Sequence, residues 1–363
     1  MEQIRDWFRR HLSDPQVVIL SLILLVGVLV VTATSRLLAP VFASIVLAYL
    51  LEGAVRPLEA WGVTRSTASS LVFLGFIVVL VALLLVLGPA LWRQTAQLVA
   101  DLPQILSQGQ NVLMGLPERY PDLITEAQVA EIMARIRGDI TGLGQAILQR
   151  SVASVVGLIT VLVYLVLMPL MVFFFLKDKE RIIEWAKRFL PKDRGLVRRV
   201  WQDVDRQIGN YVRGKVWEIV IVWVVTAVVF SLLDLRFAML LGFITGISVL
   251  IPYIGAAVVT APVAMVAWFQ FGATLDTVSV IGAYLVIQFL DGNVLVPLLF
   301  SEVVDLHPIA IIVAVLFFGG IWGFWGVFFA IPLATLIKAV LSAWPRSVEA
   351  AADGAEPQST SVA

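Results

Sequence analysis

The chain contains no cysteine in 363 residues. That excludes disulfides, thiolate metal sites and a cysteine nucleophile. It has only two histidines, His11 and His307, and neither sits in an HExxH spacing. There is no GxSxG turn either, so hydrolase chemistry has no support in the sequence. Charge is scarce: 14% of residues are charged, and the 26 basic and 26 acidic side chains cancel. Nothing in that balance points to nucleic acid. What fills the space is apolar. Hydrophobic residues make up 60% and the mean hydropathy is +0.94, where a soluble domain has about 45–50% apolar residues. The composition is that of an all-α polytopic membrane protein.

An apolar helix needs about 20 residues to cross the hydrocarbon core. Runs that qualify, or nearly do, are 17–34, 37–51, 68–91, 152–176, 216–233, 237–250, 253–271, 277–299 and 309–341. Arg36 and a further apolar run follow the first at once, so it reads as an uncleaved span rather than a signal peptide. The second run is closed by Glu52, Gly53, Arg56 and Pro57. The last holds Gly319, Gly320, Gly323 and Gly326 before Pro332, which predicts two half-helices. Segment 177–215 carries twelve Lys or Arg against six acids, whereas 91–150 carries five against six. The positive-inside rule then puts both termini and 177–215 in the cytoplasm and 91–150 outside. About eight spans with one re-entrant hairpin satisfy these constraints. Seven spans, with 237–271 also re-entrant, is the alternative.

The predicted organisation has six parts. Residues 1–91 hold three membrane helices and 92–151 an external amphipathic hairpin. One membrane helix follows at 152–176, then cytoplasmic basic amphipathic helices at 177–215. Residues 216–341 form a C-terminal bundle with broken helices, and 342–363 a disordered cytoplasmic tail. The outer hairpin rests on stripes at helical spacing, Leu98, Leu102 and Ile105, then Val129, Ile132, Ile136, Ile140, Leu143 and Ile147. Basic amphipathic helices such as the pair in 177–215 lie on anionic lipid or pack on neighbouring helices.

Among the motifs, Asp291-Gly292-Asn293 with Pro297 lies inside the apolar stretch 278–300. A carboxylate at bilayer depth is costly and marks a functional site by default. Gly292 and Pro297 predict an unwound turn whose carbonyls, with Asp291 and Asn293, would hold a cation or polar solute. The competing reading is a helix end with Asp291 paired to a basic residue. Ile251-Pro252-Tyr253-Ile254-Gly255 predicts a second break, preceded by Gly242 and Gly246. Gly246 to Pro252 and Gly326 to Pro332 share the spacing Gly-x5-Pro. Gly209 to Lys215 matches most of a P-loop, but Val216 replaces the Ser or Thr that would hold Mg²⁺ and no strand precedes it. It is read instead as a helix entering the membrane, with Arg213 and Lys215 at the headgroups. His307 before Pro308 reads as a helix cap, or alternatively as a protonatable group on a transport path. Glu52 and Arg56 are spaced to pair on one helix face. Asp234-Leu235-Arg236 is an external turn.

Several of these elements together resemble the AI-2E (autoinducer-2 exporter) family, the PerM-like permeases. They are Arg56-Pro57-Leu58-Glu59 with Gly62 and Arg65, Phe174 to Asp178, Tyr211 to Gly214, and Ile251 to Gly255. Asp291-Gly292-Asn293 with Pro297, Leu306-His307-Pro308, and Gly323-x-x-Gly326 with Ile331-Pro332-Leu333 complete the series. The chain departs from the pattern at Lys215, where an uncharged polar residue is usual, and at Ser301-Glu302, where a glycine turn is common. The resemblance implies a multi-pass bacterial inner-membrane transporter that exports autoinducer-2 or exchanges Na⁺ or Li⁺ for H⁺, assembled as a homo-oligomer. The positions carried over are Pro252, Gly255, Asp291, Asn293, Pro297 and Pro308. The expectation is a secondary transporter working by alternating access, not an enzyme and without a cofactor. Its partners would be membrane lipids, protons, and a small solute or monovalent cation, with Na⁺ at Asp291. A non-transporting scaffold or a passive channel is the alternative.

Overall fold

The computed structural model describes residues 15–114, seven positions between 127 and 138, and residues 155–188, 195–300 and 306–343. The second stripe of the predicted outer hairpin, the tail, the first fourteen residues and Ser301-Glu302 lie largely or wholly outside them. Among the described residues every regular element is helical. In order these are α1 (Pro15–Ala60), α2 (Arg65–Met114), α3 (Val155–Lys177), α4 (Lys179–Lys187), α5 (Gly195–Leu232), α6 (Ala238–Ser248), α7 (Ile254–Phe271) and α8 (Leu275–Leu290). A π-helical turn (Asp291–Leu295) follows, then α9 (Val296–Phe300), α10 (Pro308–Trp322), α11 (Phe324–Phe328) and α12 (Ala330–Ala343). Among the described residues five helical stretches are long and apolar enough to cross a membrane, namely Leu38–Ala60, Arg65–Gly109, Asp205–Leu232, Ile254–Phe271 and Leu275–Phe300. Shorter apolar helices lie at Val163–Lys177, Ala238–Ser248 and Pro308–Trp322.

Two expected helix ends are absent. Runs 17–34 and 37–51 belong to one 46-residue helix that continues through Pro40 and Pro57. At about 1.5 Å per residue it is roughly 70 Å long, twice the hydrocarbon core of about 30 Å. The polar group read as its stop is instead tied down inside the protein. Glu52 is buried and pairs with Arg65 at 3.2 Å and with Arg56, four residues on, at 3.7 Å. Arg65 also binds Glu59 and the carbonyl of Leu176. One cluster therefore ties the end of α1 to the start of α2 and the end of α3, and a carboxylate so paired gives the helix no reason to stop. Likewise 68–91 and the first arm of the predicted outer hairpin are a single helix, running through Pro89 and Pro103.

The described chain divides into two compact units. The larger, within 40–178 and 212–301, has two apolar cores. One gathers Phe230, Leu241, Val263, Val280 and Tyr284 from α5 to α8; the other gathers Val55, Ala68, Val172 and Leu176 from α1 to α3. The helix α6 lies so close to α5 that a Cβ on Gly246 would stand 2.7 Å from the Ile219 carbonyl oxygen and the Trp223 Cβ. A Cβ on Gly242 would stand 2.8 Å from the Ala227 nitrogen. Small residues four apart permit this approach in membranes. These two glycines thus serve a helix crossing, while the break itself comes after them. Gly246→Ala is expected to destabilise the protein by about 1–3 kcal/mol, the range for overpacking, read as unfolding by sodium dodecyl sulfate in mixed micelles.

The smaller unit, within 1–39, 179–211 and 302–363, is centred on the helical hairpin of α10 and α12. Its corner is Gly323 at φ 61°, a left-handed conformation suited to glycine. The two half-helices expected from the Gly-rich run are therefore present. A Cβ on Gly326 would run into the Phe318 carbonyl. Tyr211 is buried and donates its hydroxyl proton to the Phe328 carbonyl at 2.9 Å, its ring edge-on to that of Phe328. The Tyr211 motif and the closing Gly-rich motif, distant in sequence, thus meet.

Candidate functional site

The larger unit contains a buried charge cluster at the second predicted break. Helix α6 stops at Ser248, the chain turns through 249–253, and Tyr253 takes φ 64° before α7 begins at Ile254. Proline at 252 and the lack of a side chain at 255 make this turn possible. A Cβ on Gly255 would collide with the Ser248 carbonyl.

Lys215 and Glu218 project from α5 onto this break. Three residues apart, they share one helix face, and the Lys215 Nζ donates to Glu218 Oε2 at 2.8 Å. It also donates to the Val249 carbonyl at 2.7 Å, at the end of α6. Their side chains are 4% and 2% exposed. The Phe300 ring covers the ammonium at 5.6 Å. Lys215 is therefore turned into the protein and does not reach outward. An ammonium with a carboxylate and a helix-end carbonyl to bind loses less by burial than an isolated one, which is why it folds inward.

Asp291 lies within electrostatic reach of Lys215 and Glu218, and its Oδ1 is buried without a hydrogen-bond partner. Buried polar atoms are nearly always paired, so an exception marks a place where something else binds or moves. The turn carrying it is not unwound. It widens to a π-turn, closed by the Val296 N–H donating to the Asp291 carbonyl. Pro297 has no N–H for the regular ladder, so the bonding slips by one residue. Gly292 is exposed, with open space around it.

The other expected site residues are placed differently. Asn293 is exposed and donates its amide to the Phe289 carbonyl at 2.9 Å on its own helix. Residues two apart still leave a widened helical turn on opposite sides, so Asp291 and Asn293 do not converge. Pro297 is exposed on α9, Pro252 is half-buried in the turn, and Gly255 is buried. His307 caps α10, its Nδ1 accepting from the Ile309 N–H at 3.3 Å. It belongs to the smaller unit, and Pro308 opens that helix.

Sequence reasoning missed Tyr284 and Gln288. With Asp291 they recur at spacings of four and three and form a polar stripe along α8 and the π-turn that continues it. Tyr284 donates to the Ala256 carbonyl at 2.7 Å, just past the break. Gln288 Nε2 is buried without an acceptor. The spacing of these three residues was the available signal. Among the described residues no group of three His, Cys, Asp or Glu side chains could hold a metal ion.

A family profile described as "AI-2E family transporter" matches residues 19–346. PerM of Escherichia coli strain K12, a candidate permease, is 48% identical over 345 residues, covering 95% of this chain and 98% of PerM. YueF of Bacillus subtilis strain 168, a candidate transport protein, is 26% identical over 314 residues, covering 84% and 83%. The "AI-2 transport protein TqsA" of Escherichia coli strain K12 is 23% identical over 330 residues, covering 89% and 92%.

Proposed function

This chain belongs to the AI-2E transporter family, a family of transport proteins and not of enzymes, and we propose that it is a secondary transporter of the bacterial inner membrane. In this reading it exchanges a monovalent cation, Na⁺ or Li⁺, for protons, or exports a small polar solute such as autoinducer-2, by alternating access. The observation that carries it is the buried, unpartnered Asp291 Oδ1 beside an ion pair at a helix break. Broken helices in membranes collect coupling ions because their free carbonyls and charged side chains lie away from lipid. Asp291 binds the cation or proton, and Gln288 and the turn at 249–255 complete the polar wall. Asn293, exposed and bonded to its own helix, does not orient the solute. The termini lie in the cytoplasm, in keeping with the basic segment 177–215. The outer face of α2, with Leu74, Val78, Leu85 and Val86 all more than half exposed, is covered by lipid and by further copies of the chain in a homo-oligomer.

The test is reconstitution of the purified chain in liposomes with internal pH recorded after a Na⁺ pulse. Antiport predicts proton movement driven by Na⁺ that is lost in Asp291→Asn. Na⁺ entry without proton movement would mean a channel. The absence of any cation response would end the antiport reading, and the same vesicles would then be assayed for autoinducer-2 flux. Absence of both would favour a scaffold.

A further inference from the structure

We propose that the Lys215 ammonium occupies a monovalent-cation site built by the Glu218 carboxylate, the Val249 carbonyl and the Phe300 ring, so that the chain carries its own tethered counter-ion there. The ligands are those a small cation requires. One is a carboxylate oxygen, Glu218 Oε2 at 2.8 Å. Another is a main-chain oxygen, Val249 at 2.7 Å, at the end of α6, where carbonyls lack helical donors and the helix dipole is negative. The third is an aromatic face at 5.6 Å, which attracts cations through its quadrupole. Gly214 leaves room for the ring. A Cβ there would approach the Phe300 ring to 2.8 Å and the Leu299 carbonyl to 3.2 Å.

Charge balance gives the site its consequence. With all three groups ionised, Lys215 would balance only one of the two carboxylates, Glu218 and the nearby Asp291, and one negative charge would be left over. An uncompensated charge away from water is expensive. The cluster therefore takes one further positive charge, and the place for it is at Asp291, whose Oδ1 has no partner. An ammonium has three donors. Two are used on Glu218 and Val249, and the flexible stem lets the head move between Glu218 and Asp291. Each movement frees one carboxylate and closes the other, and takes with it the bond to the end of α6. The tether thus limits the cluster to one mobile monovalent charge. It stands whichever solute the protein moves.

The experiment compares a double and a triple variant of the full chain in detergent. Thermal unfolding is followed in NaCl and in choline chloride at equal ionic strength. Lys215→Met/Asp291→Asn keeps Glu218 and Val249 as ligands and removes the tethered cation. Lys215→Met/Glu218→Gln/Asp291→Asn also removes the carboxylate of the site, and leaves no second carboxylate on which sodium could act. Sodium is expected to raise the Tm of the double by roughly 2–4 °C over choline and to leave the triple unchanged. It should stabilise the double more than Asp291→Asn alone, where the ammonium still fills the position. Equal responses from the double and the triple, or none from the double, would overturn the proposal. If the double is not recovered folded, Lys215→Gln/Asp291→Asn takes its place under the same criteria. Absent Na⁺-driven proton flux from the unmutated protein would end the antiport reading and leave this result standing.

Discussion

Glu218→Met is expected to destabilise the protein by about 3–5 kcal/mol, the cost of leaving a buried partner charge uncompensated. Lys215 would keep the Val249 carbonyl but lose the carboxylate at 2.8 Å. Its side chain is 4% exposed, so water does not replace what is lost. The ammonium then has only Asp291 to turn to, and reaching it costs the contacts with Val249 and Phe300. The double variant Lys215→Met/Glu218→Met is expected to recover most of the loss, because two apolar side chains of similar volume suit a buried site at least as well as an ion pair. The cycle reads the coupling between the two residues directly. Unfolding by sodium dodecyl sulfate in mixed micelles measures it. Equal stability of Glu218→Met and the unmutated protein would show that the pair is hydrated and the cluster is not a closed polar core. A pair that adds so little net stability, yet is so costly to break, fits a role in setting charge rather than in holding the fold.

What the sequence made legible was local. Gly323 and the Ile251-Pro252-Tyr253-Ile254-Gly255 string marked breaks because glycine and proline act on their own turn of backbone, and the chain turns at both. The cap at His307 was legible for the same reason, since its acceptor and the Ile309 donor are two residues apart. The Glu52–Arg56 pair followed from helical spacing. The misreadings arose where tertiary contacts override local signals. Glu52 and Pro57 look like a stop, but Arg65 from the next helix neutralises Glu52, and α1 continues. Lys215 looks like a headgroup anchor, but its partner Val249 is 34 residues away, and no spacing rule reaches that far. Asp291 was legible as a charge in an apolar run. Its neighbours in the site were not, because Lys215 and Glu218 come from another helix and Asn293 turns away.

Asp291→Asn and Asn293→Ala are therefore expected to separate sharply, although two residues apart. Asp291 is the carboxylate with a buried unpartnered oxygen within electrostatic reach of Lys215 and Glu218. Replacing it by an amide removes the charge that the mobile cation or proton neutralises. Losing one partner of a buried charge pair costs about 2–5 kcal/mol, roughly a 30- to 4,000-fold weaker hold on the cation. Coupled flux in liposomes should fall toward the background of empty vesicles. Asn293 is exposed and spends its amide on the Phe289 carbonyl, so Asn293→Ala should stay within about twofold of the unmutated rate, as exposed substitutions usually do. The opposite ranking, with Asn293→Ala the more damaging, would mean that the solute path runs along the outer face of the π-turn. The inner polar stripe of Tyr284, Gln288 and Asp291 would then be structural. Gln288→Leu distinguishes the two paths further. It removes a buried Nε2 that makes no well-aligned hydrogen bond but lies near the Tyr284 hydroxyl, so unfolding is measured beside flux, and a fall in flux at unchanged stability would assign that stripe to transport.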